Sequence, residues 1–222
     1  MGISLSNATL ITIYGGSGFI GRHVVRALAK TGARMRIAVR RPELAGFLQP
    51  LGGVGQITAV QANVRFPDSL LAPAKGADAV INLVGILSPS GRQTFKAVQD
   101  EVRATWRRRR APQAPSAFVH MSAIGADANS PSVYARTKAA GEGCGKRGVP
   151  DAVILRPSVV FGPEDEFFNR FAALARLSPA LPLIGGGKTK FQPVFCRRRG
   201  QGGDGKPRRQ GEDARRVRAR RT

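Results

Sequence analysis

Thr9-Leu-Ile-Thr-Ile-Tyr14-Gly15-Gly16-Ser17-Gly18-Phe19-Ile20-Gly21-Arg22-His23-Val24-Val25 decides the fold. An apolar, β-branched run enters a glycine turn, and the turn opens an amphipathic helix. Gly15 and Gly18 let the backbone turn tightly and approach a pyrophosphate, while Gly21 lets the helix pack closely on the strand. The helix N-terminus then offers free N–H groups and the positive end of its dipole to phosphates. In this strand–turn–helix setting, Gly15, Gly16, Ser17, Gly18, Phe19, Ile20 and Gly21 are candidate contacts for a dinucleotide. The plainer alternative is a tight turn that binds nothing.

Outward from that turn, short apolar runs alternate with helix-like segments over the first 160 or so residues. The expected strands are Thr9–Tyr14, Met35–Val39, Ile57–Gln61, Ala79–Val84, Ala117–Met121 and Ala152–Leu155. They are apolar on both faces, as strands covered by helices on both sides should be. The expected helices are Phe19–Lys30, Gln93 to about Arg110, Val133 to about Glu142, and Glu166–Leu177. This order predicts an α/β fold, a Rossmann-type, doubly wound parallel sheet. The expected layout is a nucleotide-binding domain over 8–165, the start of a substrate region over 166–195, and a basic tail over 196–222.

The second strand bears on cofactor choice. Met35-Arg-Ile-Ala-Val-Arg40-Arg41-Pro42 carries arginines where a site for NAD usually places an acidic residue for the ribose 2′-OH. A guanidinium fork suits a 2′-phosphate, so Arg40 and Arg41 favour NADP(H) over NAD(H). Alternatively, both are solvated surface charges. Further on, Tyr134-Ala-Arg-Thr-Lys138 sets a phenol and an ammonium four residues apart on one helix face. An ammonium beside a phenol is expected to lower its pKa, and Ser122, ending the preceding strand, could hold a substrate oxygen. A Tyr-x-x-x-Lys spacing also arises by chance in surface helices.

Together these residues resemble the short-chain dehydrogenase/reductase superfamily in its extended or atypical, epimerase/dehydratase-like branch. Gly15-x-x-Gly18-x-x-Gly21 matches its cofactor loop. Ala62-Asn63-Val64 stands where the superfamily contacts adenine, and Asn82-Leu-Val84-Gly85 matches the segment after the fourth strand. Ser122, Tyr134 and Lys138 match the catalytic triad, and Leu155-Arg-Pro157 through Phe161-Gly162-Pro163 the loop near the nicotinamide. The resemblance therefore implies Asn63, Val64, Val84, Gly85, Tyr134, Lys138 and Pro157 as cofactor contacts; no metal site is expected. Phe167-Phe-Asn-Arg-Phe171 and Pro182-Leu-Ile-Gly-Gly-Gly-Lys188-Thr-Lys-Phe-Gln192-Pro-Val further resemble the NADPH-binding accessory subunits of respiratory complex I and their bacterial relatives. That likeness implies a bound NADPH with a structural role, partners among complex I subunits, and a peripheral seat at the inner membrane. An active NADP-dependent reductase or epimerase is the alternative. Because such relatives are longer, an incomplete substrate pocket is expected.

Composition limits other classes. Cys144 and Cys196 form no metal spacing and no disulfide framework, which fits a reducing compartment such as the cytoplasm. Met1–Leu10 lacks a basic region followed by an apolar run, so no secretory signal is expected, and no apolar stretch approaches the roughly 20 residues of a membrane span. The net charge of +22 suggests nucleic acid or an anionic membrane, but it is unevenly spread. Residues 196–222 carry 11 Lys or Arg against 3 acidic residues, and Arg103 with Arg107–Arg110 adds five more arginines, so two segments hold more than half of the excess. The tail has almost no apolar periodicity and is expected to be disordered. A binder of nucleic acid or membrane through this tail is a third reading, whose salt-dependent binding should vanish on deleting Cys196–Thr222.

Val102–Gln113, Gly143–Val149 and Cys196–Thr222 depart from the family pattern, each rich in Arg or Gly where an apolar helix pattern is expected. One explanation covers all three: each reads family-like when its codons, freely chosen among synonyms, are shifted by one nucleotide. Under it the basic tail carries no evolved function. Resequencing the gene tests this, and a clean read matching the chain removes the idea.

Overall fold

The computed structural model describes residues 5–64, 66–85, 115–148, 152–177 and 192–196. The strand that precedes the glycine turn, β1 (Leu10–Tyr14), lies at the centre. It is flanked by β2 (Arg34–Val39) and β4 (Ala79–Asn82), with β3 (Ile57–Gln61) outside β2, and β5 (Ala117–Met121) and β6 (Val153–Leu155) outside β4. All five pairings are parallel, in the order β3-β2-β1-β4-β5-β6. This is the doubly wound order, and it places the reversal of winding between β1 and β4.

Side-chain alternation along β1 divides the core in two. Ile11 and Ile13 face the layer holding Val25, Met35, Ile37 and Leu48, whereas Tyr14 faces Ala38, Leu70, Val80 and Phe118. Burying each of these large apolar side chains contributes roughly 1.5–3 kcal/mol. Polar atoms on the second face are satisfied locally: Thr12 Oγ1 donates to Pro73 O at 2.7 Å, and the Tyr14 hydroxyl donates to Leu70 O. Burial pushes the Tyr14 phenol far above its ordinary value, so it stays a neutral donor.

Helix α1 (Phe19–Ala29) buries Gly21, Val25 and Ala29, spaced four apart, against the sheet. No side chain caps its N-terminus and no acidic residue sits in its first turn. The crossover from β2 to β3 is a 3-10 segment, Pro42–Leu51, which buries Ala45 and Leu48. A second 3-10 turn, Pro67–Leu70, and the short α2 (Leu71–Ala74) precede β4. Helix α3 runs from Val133 to Gly148, past the expected end near Glu142, so the glycine-rich stretch from Gly143 to Gly148 is helical. Helix α4 (Phe167–Leu177) lies in sequence between the two strands of a small parallel pair, β7 (Val160–Phe161) and β8 (Val194–Phe195). The helix expected from Gln93, all of Val102–Gln113, the stretch around Lys188 and the basic tail beyond Cys196 lie outside the described residues.

Candidate cofactor and active site

At the reversal point, the carboxyl ends of β1, β2, β3 and β4 enclose an open cleft of about 230 Å³. Its walls come from the glycine turn (Gly15, Ser17, Gly18), the end of β2 (Arg40), the stretch after β3 (Asn63, Val64) and the stretch after β4 (Val84, Gly85). These eight were expected from sequence. Tyr14, Ala38, Val39, Ala62 and Leu83 also line it. Their only signal was position at the ends of strands, where the crevice of such a sheet opens.

The turn is built by close approach. Gly15 holds φ +75°, a left-handed conformation, and its N–H donates to Ala38 O at 3.1 Å. A Cβ at Gly21 would lie 2.4 Å from Gly15 O and 2.5 Å from Gly16 O, so only glycine allows the helix to start there. Gly16 is buried against Ile37 and does not reach the cleft surface; Phe19, Ile20 and Gly21 belong to the first turn of α1, beside it. The cradle therefore fits a pyrophosphate, with first-turn amides and backbone supplying the contacts. Arg40 is exposed at the rim. Arg41 does not line the cleft; its carbonyl accepts from Leu44 N at 3.2 Å at the start of the 3-10 segment.

Tyr134 and Lys138 meet as their spacing requires: the Lys138 ammonium stands 5.9 Å from the Tyr134 ring centroid. Ser132 precedes α3, its carbonyl accepting from Arg136 N at 3.1 Å, which sets Tyr134 in the first turn. Lys138 is 6% exposed, and its Nζ donates to Met121 O at 3.2 Å. A Cβ built on Gly85 would touch that Nζ at 3.1 Å, so the lysine reaches the cleft wall. One expectation changes here. The Tyr134 phenol is raised by burial, not lowered by Lys138, because the ammonium lies over the ring and the site is desolvated. Lys138 itself is lowered by burial, with Glu142 opposing.

Ser122 is also arranged differently from a hydroxyl held ready for substrate. It is 3% exposed, and its Oγ donates to Glu142 Oε1 at 2.5 Å. Arg156 donates to the same carboxylate through Nε, at 2.7 Å, and through a second nitrogen. Burial alone would raise Glu142, but Arg156 and Ser122 outweigh it and hold the carboxyl below its usual range. Pro157 continues this edge, its carbonyl accepting from Ile124 N at 2.8 Å. Ser122 and Pro157 do not line the cleft, and neither do Tyr134 and Lys138, although the Lys138 ammonium approaches Gly85 in its wall. Sequence reading missed Glu142, Arg156 and His120. The last is buried beside them, its Nδ1 3.2 Å from Asn82 Nδ2, and is lowered to about 4 by burial, with Lys138 adding and Glu142 opposing. A Glu four residues beyond the lysine was the available signal.

No helix among the described residues is long and apolar enough to cross a membrane. The fold is similar to that of a solved protein from Burkholderia cenocepacia J2315 described as a candidate epimerase (TM-score 0.60, 22% identity, 78% of this chain and 63% of that one). In sequence, the chain is 32% identical over 196 residues to an Arabidopsis thaliana mitochondrial protein named NADH dehydrogenase [ubiquinone] 1 alpha subcomplex subunit 9, covering 87% of this chain and 49% of that one. It is 36% identical over 176 residues to a ceramide reductase of Caulobacter vibrioides, covering 79% of this chain and 54% of that one. The chain thus spans about half the length of these relatives. The model of the NAD dependent epimerase/dehydratase family matches residues 11–197, from the core of β1 past β8, which includes the glycine turn, the cleft and the Tyr134–Lys138 pair, and the chain belongs to that family.

Proposed function

We propose that this chain holds NADPH in the cleft at the end of β1 and acts as a cofactor-bearing subunit of the kind found in respiratory complex I, with the nucleotide structural and not turned over. Family membership supports nicotinamide dinucleotide binding in general. The preference for NADPH rests on Arg40, a guanidinium at the rim where an acidic residue would serve a ribose hydroxyl. Arg41, outside the cleft lining, plays no part in this reading. Partnership with complex I rests on likeness to subunits so named in Arabidopsis thaliana and other organisms. The observation that carries the structural role is the commitment of the Ser122 proton to Glu142, which leaves Tyr134 and Lys138 without that hydroxyl as a donor.

Titration of the purified full chain with NADPH and NADH, read by nucleotide fluorescence, tests the reading. Tight NADPH and weaker NADH binding are expected. Arg40→Ala should weaken NADPH about tenfold, the worth of one charge-assisted contact, and leave NADH unchanged. Equal loss for both nucleotides would remove Arg40 from the preference.

A second reading, an NADP-dependent reductase, is favoured by the Tyr134–Lys138 geometry and by likeness to the Caulobacter vibrioides ceramide reductase. Bound nicotinamide would supply hydride. Tyr134, kept protonated by burial, suits donation of a proton to a carbonyl oxygen. Under this reading Tyr134→Phe abolishes NADPH oxidation while binding persists, and an unchanged rate rules the role out.

A further inference from the structure

Helix α3 turns an unusual face to the sheet. Among residues 133–143 only Lys138 and Glu142 are buried, at 6% and 7% exposure. Charged side chains this deep persist only when paired and hydrogen-bonded. Glu142 is fully engaged: it accepts from Ser122 Oγ at the end of β5 and from two nitrogens of Arg156 just beyond β6. One turn earlier on the same face, Lys138 donates to Met121 O, the carbonyl adjacent to Ser122, and reaches toward Gly85 at the cleft. The helix is therefore fastened to two strand ends through one carboxylate, next to the side chain that approaches the cofactor cleft.

We propose that Glu142 is the positioning residue of the cofactor site: by binding Ser122 and Arg156 it sets α3 against the ends of β5 and β6, and by its charge it sustains the buried Lys138 ammonium at the cleft wall. This rests on reading the cleft as a nicotinamide dinucleotide site. The groups facing Lys138 are Glu142 and Tyr134 from its own helix and His120 from β5, while Arg156 faces Glu142 from beyond β6. Of these, Glu142 favours the charged lysine and burial disfavours it. His120, lowered to about 4, is neutral near pH 7 and adds no positive charge there. Removing the carboxylate therefore leaves the lysine desolvated without its counter-charge, and it must lose its proton at lower pH.

The experiment is NADPH titration of the full chain across pH 6–10 for wild type, Glu142→Gln and Glu142→Asp. Glu142→Gln keeps an acceptor for Ser122 but cannot pair with Arg156 as a charge. It should raise the NADPH dissociation constant about tenfold at pH 7 and move the alkaline limb of binding to lower pH. Glu142→Asp should return the limb to its wild-type place while affinity stays reduced. An unmoved limb in Glu142→Gln overturns the proposal, because a merely structural role lowers affinity alike at every pH. Should Glu142→Gln fail to fold, Ser122→Ala and Glu142→Asp decide: both must bind NADPH more weakly, and wild-type affinity in either overturns it. A wild-type chain that binds neither nucleotide overturns the reading of the cleft and this inference together. Wild-type binding with an indifferent Glu142→Gln overturns this inference alone.

Discussion

Gly21 shows how one residue couples fold to site. The backbone of Gly15 and Gly16 occupies the space a side chain there would need, at 2.4–2.6 Å from the Cβ position, and neither is a flexible side-chain tip that could move away. Gly21→Ala must push α1 off the turn. Overpacking against rigid backbone costs about 1–3 kcal/mol, which in a chain of this size lowers Tm by roughly 5 °C. Nucleotide binding should fall with it, because the amides of the first turn move. A thermal melt and an NADPH titration of the variant check both, and wild-type values in each would show that the turn has room to give. The need for glycine was legible in sequence from its spacing alone. Which of two neighbouring arginines reaches the cleft was not: Arg40 lines it and Arg41 begins the 3-10 segment, a difference set by the direction in which the chain leaves β2.

Helices and strands were legible to different degrees. Helix α1 announces itself by a turn, a period and a buried stripe, and β1 to β5 by short apolar runs. The pair β7–β8 was not legible: two residues on each side carry no periodicity, and they meet through Val194 N and Cys196 N, which donate to Val159 O and Phe161 O at 2.9 Å, and through the Phe161 and Phe195 rings, whose centroids are 5.2 Å apart. Helix α4 buries none of its residues, so its start depends on local bonds. Asp165 supplies them, accepting from Phe168 N at 2.6 Å and Asn169 N at 3.4 Å through one oxygen and from Gly162 N at 3.2 Å through the other. Asp165→Ala should cost about 1 kcal/mol, the worth of a capping side chain. The Phe168 and Asn169 amides should then exchange with solvent faster; unchanged exchange would mean that α4 is held by other contacts.

For the whole molecule, the clearest consequence is acid sensitivity. His120 is buried neutral, its pKa lowered to about 4 by burial, with Lys138 adding, whereas an unfolded histidine titrates near 6.5. The unfolded chain therefore binds more protons between these values. His120 contributes stability that is present above about pH 6.5 and is lost as pH falls toward about 4. Glu142 and Asp165, both held below the ordinary carboxylate range, extend the loss further into acid, because their stabilisation disappears as they protonate. Tm should fall steadily from pH 7 to pH 4, and His120→Gln should flatten that part of the curve. A wild-type Tm constant across the window would show that His120 does not stay neutral in the fold.

Sequence by itself determined the class of fold and the place of the glycine turn, because both follow from short-range pattern: strand, glycine spacing, helix period. It also determined that Tyr134 and Lys138 share a helix face, since four residues make about one turn. Only the tertiary structure decided what the polar side chains do with that arrangement. Ser122 and Glu142 are 20 residues apart, and Glu142 and Arg156 are 14 apart. Gly85 and Lys138 are brought together by the parallel pairing of β4 with β5 and the packing of α3 upon it. Hydrogen-bond partners at such separations depend on how strands and helices pack and on which groups burial leaves in need of a partner. A hydroxyl that reads as free in sequence is therefore already committed in the fold.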